Sequence, residues 1–280
     1  MIKLFVSDMD GTLLNDQHII SQENANSIKK LQARGIEFMI ATGRTFHSAK
    51  PFLDMHQIDC EMINLNGAAI YTRDGHLEHS IPMSFPIVKQ MILFCQQHGI
   101  GYSVMDSQYL YVMDTDSFLK KIFANLDLGI DSDQSSRMQF INDINYVRDI
   151  NDYQFNQASP VLKMMILSEN PEKLQAFQDV FASEDSLDIT SSNIDNLEVT
   201  HQKAQKGLAI ASYAAAKGWT MDEVATIGDS LNDRSMLQMA KYGFVMENAS
   251  EEVKSFSTLR APDHNLHGVS QIIEAILKNY

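Results

Sequence analysis

The sequence predicts an α/β protein built on a doubly wound parallel sheet, with a second α/β domain inserted into it. Three observations lead there. Short apolar runs alternate with helical stretches from residue 2 to about Pro82, the pattern of βαβ units. The rhythm changes over Ser84 to Ser192 and returns towards the end of the chain. The apolar runs of the flanking parts end in polar clusters, and in an open parallel sheet ligands bind beyond the carboxyl ends of the strands.

Taken in order, Ile2 to Ser7 reads as a buried strand that stops in a turn at Asp8-Met9-Asp10-Gly11-Thr12. Ser21 is an N-cap for a helix to Arg34, with Ile28 and Leu31 on one face and Gly35 as the stop. Ile36 to Ile40 is a second strand, ending in Ala41-Thr42-Gly43-Arg44, and a helix follows. Met62 to Leu65 is a third strand, with a turn at Asn66-Gly67. The inserted stretch has a helix at Ile87 to His98 and strands at Tyr109–Met113 and Leu162–Leu167, separated by a segment rich in Asp, Asn, Ser and Gln. A helix from Gly207 to Lys217, a strand at Val224 to Ile227, a helix starting near Leu231, a strand at Tyr242–Met246 and a closing helix at Val269–Leu277 complete the pattern. There is no internal repeat and no low-complexity tract.

The 280 residues suffice for one large or two smaller domains, at roughly 100–200 residues each. The hydrophobic share of 44% and the charged share of 21% are those of a soluble globular protein. No apolar run approaches the roughly 20 residues a membrane span needs, and the N-terminus lacks a signal-peptide pattern. Cys60 and Cys95 sit in apolar contexts without CxxC spacing, which fits a reducing cytoplasm. The net charge of −14, with no Lys/Arg cluster, argues against a nucleic acid or an anionic membrane as partner. An anionic substrate would meet an opposing field, so a local cation is expected at its site. A monomer or weak homo-oligomer is expected.

Three strand ends carry polar clusters: Asp8/Asp10, Thr42-Gly43-Arg44 and Asp229/Asp233. Several carboxylates in one crevice repel one another unless a cation lies among them, and hard oxygen donors select Mg²⁺. A carboxylate at Asp8 can attack phosphorus, and one two residues on can pass protons to and from the reacting oxygens. A lone DxDG is also an ordinary turn. A calcium loop is excluded, because the twelfth position from Asp8 is Ile19 and not Glu. Thr42-Gly43-Arg44 offers a hydroxyl and backbone N–H groups at a helix start, an anion nest. N-capping explains one of Asp229 and Asp233 but not both together with Asn232. Lys203 and Lys206 both precede a helix; Lys206, directly before Gly207, is the better candidate to offset the carboxylates. His98, His201, His264 and His267 read as surface or packing residues, and the 16 methionines as core filler.

Together these residues resemble the haloacid-dehalogenase-like superfamily of phosphatases. Asp8-Met9-Asp10-Gly11-Thr12 matches its DxDGT motif, Thr42 the second-motif Ser/Thr, Lys206 the third-motif lysine, and Gly228-Asp229-Ser230-Leu231-Asn232-Asp233 the fourth, GDSxND. Ala41-Thr42-Gly43-Arg44 and Asn66-Gly67-Ala68 extend the resemblance to the Cof-type branch. The resemblance implies a Rossmann-like core over residues 1–83 and 193–280 and an α/β cap over 84–192. The cap is expected to close over the site and set specificity, hinged near Pro82-Met83 and Ser192-Asn193. It further implies Asp8 as nucleophile and metal ligand, Asp10 as acid/base and a metal ligand through its carbonyl, and Thr42 and Lys206 as holders of the phosphoryl group. Asp229 would bind Mg²⁺, with Asp233 supporting the metal site from nearby. Met9, Gly43, Arg44, Asn66 and Asn232 would contact phosphate or substrate. The implied substrate is a small phosphorylated metabolite; hexose and other sugar phosphates, pyridoxal phosphate and flavin mononucleotide all stay open. A phosphotransferase such as a mutase, or a non-catalytic binding protein on the same scaffold, are the alternatives.

Overall fold

The computed structural model describes residues 1–113, 146–153, 160–191 and 194–278. The Asp/Asn-rich segment after Met113 and the expected hinge at Ser192-Asn193 fall largely or wholly outside them. Along the chain the strands are β1 Leu4–Ser7, β2 Glu37–Ala41, β3 Glu61–Asn64, β4 Ala69–Tyr71, β5 Leu77–Ser80, β6 Gly101–Met105, β7 Leu110–Val112, β8 Val147–Asp149, β9 Lys163–Leu167, β10 Leu187–Thr190, β11 Asn196–His201, β12 Val224–Gly228, β13 Tyr242–Met246 and β14 Leu259–Ala261. The described α-helices are α1 Gln22–Ala33, α2 Phe46–Met55, α3 Phe85–His98, α4 Pro171–Phe181, α5 Lys206–Ala216, α6 Arg234–Met239, α7 Glu251–Lys254 and α8 Gly268–Lys278. None of them is long and apolar enough to cross a membrane.

The chain divides into two units. The first comprises Met1–Arg44, Phe52–His79 and Lys203–Tyr280; the second comprises Thr45–Pro51 and Ser80–Gln202.

The sheet of the first unit has the order β14-β13-β12-β1-β2-β3-β4-β5. The pairs from β14 to β3 are parallel, and β3 pairs antiparallel with β4. The sequence pattern anticipates the parallel run. The antiparallel edge follows from the tight turn Leu65-Asn66-Gly67, whose residues all have positive φ and reverse the chain within three residues. Leu4 and Val6 of β1 point to one face with Met39, Ala41 and Ile63, against Ile210, Tyr213 and Ala214 of α5 and Met236 and Leu237 of α6. Phe5 points the other way and stacks on Phe38, with ring centroids 6.3 Å apart. This period-two alternation buries both faces, as a doubly wound sheet requires. Ser21 caps α1 by accepting from the Asn24 N–H, and Gly35 ends it at φ 78°. The helix expected near Leu231 begins at Arg234, because Leu231–Asp233 first makes a 3₁₀ turn closed by a Ser230/Asp233 capping box.

The second unit has the sheet β10-β11-β9-β6-β7-β8, antiparallel except for β7 beside β8. Tyr102, Val104, Met164, Ile166, Leu197 and Val199 form an apolar face on Met91, Cys95 and Phe177 of α3 and α4. Pro86 opens α3 and Gly99, left-handed at φ 58°, ends it. On the opposite face Lys163 and Glu198 form a buried ion pair at 3.0 Å.

Candidate active site

Four neighbouring strands, β12, β1, β2 and β3, end at one edge of the first sheet, and each delivers part of the site there. Asp8 follows β1. Its N–H donates to the Ile227 carbonyl of β12, which fixes its backbone at the strand end. The chain then coils through one wide helical turn, Met9–Leu13, closed by the Leu14 N–H on the Met9 carbonyl. Gly11 makes this turn possible. It has φ 72°, and a Cβ there would lie 2.4 Å from Asp229 Oδ2. The turn thereby aims the Thr12 hydroxyl at Asp229 Oδ1, 2.6 Å away.

Asp229 follows β12, and Asp233 lies one turn further on. The N–H groups of Asp229 and Ser230 donate to Asp233 Oδ2 at 2.9 and 3.0 Å. The other oxygen, Oδ1, accepts from Lys206 Nζ at 2.6 Å. The same ammonium donates to Asp8 Oδ1, also at 2.6 Å. Lys206 is 0% exposed, so a full charge sits in the interior, held by two carboxylates at sequence separations of 198 and 27 residues. Burial opposes that charge, but Asp233 and Asp8 outweigh it and hold the ammonium protonated.

Asp8, Asp229 and Asp233 each bring an oxygen within 4.8 Å of the others. Three carboxylates against one lysine leave an excess of negative charge in a buried place. The titration of the acids shows the consequence. Burial pushes Asp8 well above the usual carboxylate range; Lys206 pulls it down, while Asp233, Asp229 and Asp10 push it further up. Asp229 rises to about 6, through burial first and Asp233 second. Such a set of hard oxygen donors with unbalanced charge fits a divalent cation.

Asp10 lies outside this cluster. Its carboxylate is held by Arg44, Nε to Oδ2 at 2.7 Å and Nη2 to Oδ1 at 2.6 Å. Partial burial acts upward on its pKa, and the Arg44 guanidinium more than offsets that, so the net shift is downward. Arg44 also lies over the Phe52 ring, 4.7 Å from the centroid.

Thr42, 1% exposed, directly follows β2. Its hydroxyl accepts from the Arg44 N–H at 3.2 Å, and its carbonyl accepts from the Asn66 N–H at 3.1 Å. Asn66 in turn accepts from Asn232 Nδ2 at 3.3 Å. The structure thus joins Thr42, Arg44, Asn66 and Asn232 through hydrogen bonds, and Gly43 lies in the same turn. Met9 is fully buried, so only its backbone can face a ligand. Among the four histidines set aside from the sequence, His264 meets Asp16 at 2.8 Å and is not part of the carboxylate cluster.

Three residues with contacts at the site were missed from sequence. Asn64 donates to the Arg44 carbonyl at 3.1 Å, Asn248 donates to the Gly11 carbonyl at 2.8 Å, and the Ser235 hydroxyl accepts from the Gly207 N–H at 2.9 Å. Asn64 stands two residues before Asn66-Gly67 and Ser235 two residues after Asp233, which hinted at both; Asn248 lies in a stretch with no local signal.

This fold and site define a class, and the comparisons agree. The sequence profile of the haloacid dehalogenase-like hydrolases matches residues 5–273. The chain belongs to that family, in its Cof-type branch, and is a phosphatase. It is 28% identical to phosphatase YwpJ of Bacillus subtilis, over 99% of this chain and 100% of that one. It is also 28% identical to the 5-amino-6-(5-phospho-D-ribitylamino)uracil phosphatase YwtE of the same organism, over 99% and 98%. The solved structure of a haloacid dehalogenase-like hydrolase from B. subtilis superposes with a TM-score of 0.85 at 28% identity, covering 98% of this chain and 99% of that one.

Proposed function

We propose that the protein is a Mg²⁺-dependent phosphatase of small phosphorylated metabolites that works through an aspartyl-phosphate on Asp8. The observation that carries this reading is the buried arrangement of Lys206 between Asp8 and Asp233, with Asp229 alongside. It supplies a nucleophile, a fixed positive charge and a set of oxygen donors in one place. Asp8, Asp229 and the backbone carbonyl of Asp10 would hold the ion, with Asp233 bracing them. When bound, Mg²⁺ offsets the carboxylate and phosphoryl charge.

The Asp8 carboxylate attacks phosphorus, forming the Asp8 O–P bond as the ester O–P bond breaks. Asp10 gives its proton to the departing oxygen. Water then attacks phosphorus, Asp10 takes a proton from it, and the Asp8 O–P bond breaks to release inorganic phosphate. Lys206 and the Thr42 hydroxyl hold the transferred group, and the Thr42-Gly43-Arg44 turn offers N–H donors to its oxygens. Because Arg44 holds Asp10 ionised at rest, Asp10 has to leave that grip and take up a proton from solvent before it can donate one.

The second unit contains none of these side chains, and recognition of the rest of the substrate is assigned to it. YwtE, named for a phosphorylated ribitylaminouracil, supports a small phosphorylated metabolite as substrate. The test is phosphate release from a panel of phosphate monoesters with Mg²⁺, with a chelator, and with Asp8→Asn. Turnover is expected only in the first case. Equal release with the chelator, or by the Asn variant, would overturn the reading.

A further inference from the structure

Lys206 does its work from the first residue of α5, so the placement of that helix start decides where the ammonium lies. Helix starts leave several backbone N–H groups without partners, and an N-cap side chain normally takes one of them. In α5 the N-cap residue is Gln205, and its side chain makes no capping bond. The N–H of Gly207 instead donates to the Ser235 hydroxyl at 2.9 Å, from 28 residues further along the chain. The contact is close. A Cβ on Gly207 would lie 2.5 Å from the Ser235 carbonyl carbon, so only glycine lets the two backbones approach. On its other side, the residue before Lys206 is packed against the turn at Gly67, where a Cβ would lie 2.6 Å from the Gln205 carbonyl carbon.

Ser235 stands two residues after Asp233, which grips the Lys206 ammonium itself. One short stretch therefore holds α5 twice: Asp233 by the side chain of residue 206, Ser235 by the backbone of residue 207. We propose that Ser235 is a positioning residue for phosphoryl transfer: its hydroxyl caps the helix that carries Lys206 and fixes the ammonium between Asp8 and Asp233. The proposal deepens the phosphatase reading only where activity is measured; the cap itself does not depend on it.

The test compares Ser235→Ala with Ser235→Thr, which keeps the hydroxyl, and with Gln238→Ala on the exposed side of α6 as a control. Without substrate, NMR follows exchange of the Gly207 amide and the buried Lys206 ammonium signal. Loss of a cap is expected to speed Gly207 exchange by about fivefold to tenfold in the Ala variant and to broaden or shift the ammonium signal. The Thr variant and the control should behave as wild type. With substrate, kcat of the Ala variant should fall roughly 10- to 100-fold with KM little changed, since a small displacement of a catalytic group costs rate more than binding. Thr should restore it. Unchanged exchange and an unchanged ammonium signal in Ser235→Ala would overturn the proposal. So would faster Gly207 exchange with an unmoved ammonium signal, or with kcat retained, because the cap would then not position the lysine. A wild type inert towards every ester would overturn the phosphatase reading alone, since both NMR signals are read without substrate.

Discussion

Arg44 holds Asp10 by two parallel hydrogen bonds, 2.7 and 2.6 Å long, from Nε and Nη2 to the two carboxylate oxygens. A planar guanidinium matched to a carboxylate in this way is a strong and directional pair. It keeps Asp10, the proposed proton-transfer group, in its ionised form, outside the carboxylate cluster. Asp10→Asn would lose proton transfer while keeping the backbone carbonyl in place. The expected loss is roughly 10²–10⁴-fold for an alkyl phosphate. With p-nitrophenyl phosphate, whose leaving group needs little protonation, the loss should be smaller if the first step limits. Rates for both esters check this; equal loss, with dephosphorylation shown not to be limiting, would exclude the role.

Asp8→Asn should abolish turnover without unfolding the protein. Ionised Asp8 is disfavoured by burial and by three neighbouring carboxylates, and Lys206 keeps Asp233 as partner. Removing the charge relieves repulsion at the expense of one ion pair, so the melting temperature of the metal-free protein should stay close to wild type. Phosphate release and thermal unfolding, measured side by side, decide it. A variant as active as the parent would remove Asp8 from its role.

The raised pKa of Asp229, about 6, has a definite sign for stability. A carboxyl that binds protons more tightly folded than unfolded loses stability for the native state as pH rises from its unfolded value, about 4, to about 6. In the metal-free protein, Asp229→Asn should therefore melt higher than wild type at pH 7. The difference should close as pH falls towards 4, where Asp229 is neutral. Added Mg²⁺ should reverse the order at pH 7, stabilising only the wild type appreciably. Melting curves with chelator and with Mg²⁺ across this range test it; a metal-free Asn variant that melts lower at pH 7 would contradict the electrostatics.

Gly11→Ala should damage the site more than its size suggests. The residue has φ 72°, and the new methyl would meet Asp229 Oδ2. Positive φ on a non-glycine residue costs on the order of 1–3 kcal/mol. Displacing Asp229 should also weaken Mg²⁺ binding by about 10- to 100-fold, as other disturbances to metal ligands do. Denaturant unfolding and Mg²⁺ titration measure the two effects separately. Unaltered Mg²⁺ affinity would mean that Asp229 is not set by this turn.

What could be read from sequence was whatever depends on local pattern. Apolar runs of strand length ending in Asp8, Thr42 and Asp229 located the strand ends, and a parallel sheet aligns such ends at one edge. What could not be read depends on distance closed by folding. The pairing of Lys206 with Asp8 spans 198 residues, so local pattern showed the lysine only as the better of two before a helix, and the family resemblance, not the pattern, gave it a role. Arg44 on Asp10, Thr12 on Asp229 and Ser235 on Gly207 are side-chain choices made after the strands have come together. The 3₁₀ turn before α6 was missed because Asp233 turns back to cap Ser230 instead of opening an α-helix.

The sheet order also governs when the enzyme can come into being. β1 lies between β2 and β12, so residues 4–7 wait for a neighbour that begins at residue 224. At ribosomal rates of about 5–20 residues per second, that wait lasts roughly 10–40 s. During it, β1 presents an unpaired, apolar edge able to join a foreign strand. Asp8 is made 198 residues before Lys206, and it meets Lys206 only after that later stretch has been made. A chain cut short before residue 228 carries Asp8 without Asp229 and Asp233, and the newborn protein is most open to aggregation while that edge of β1 is bare.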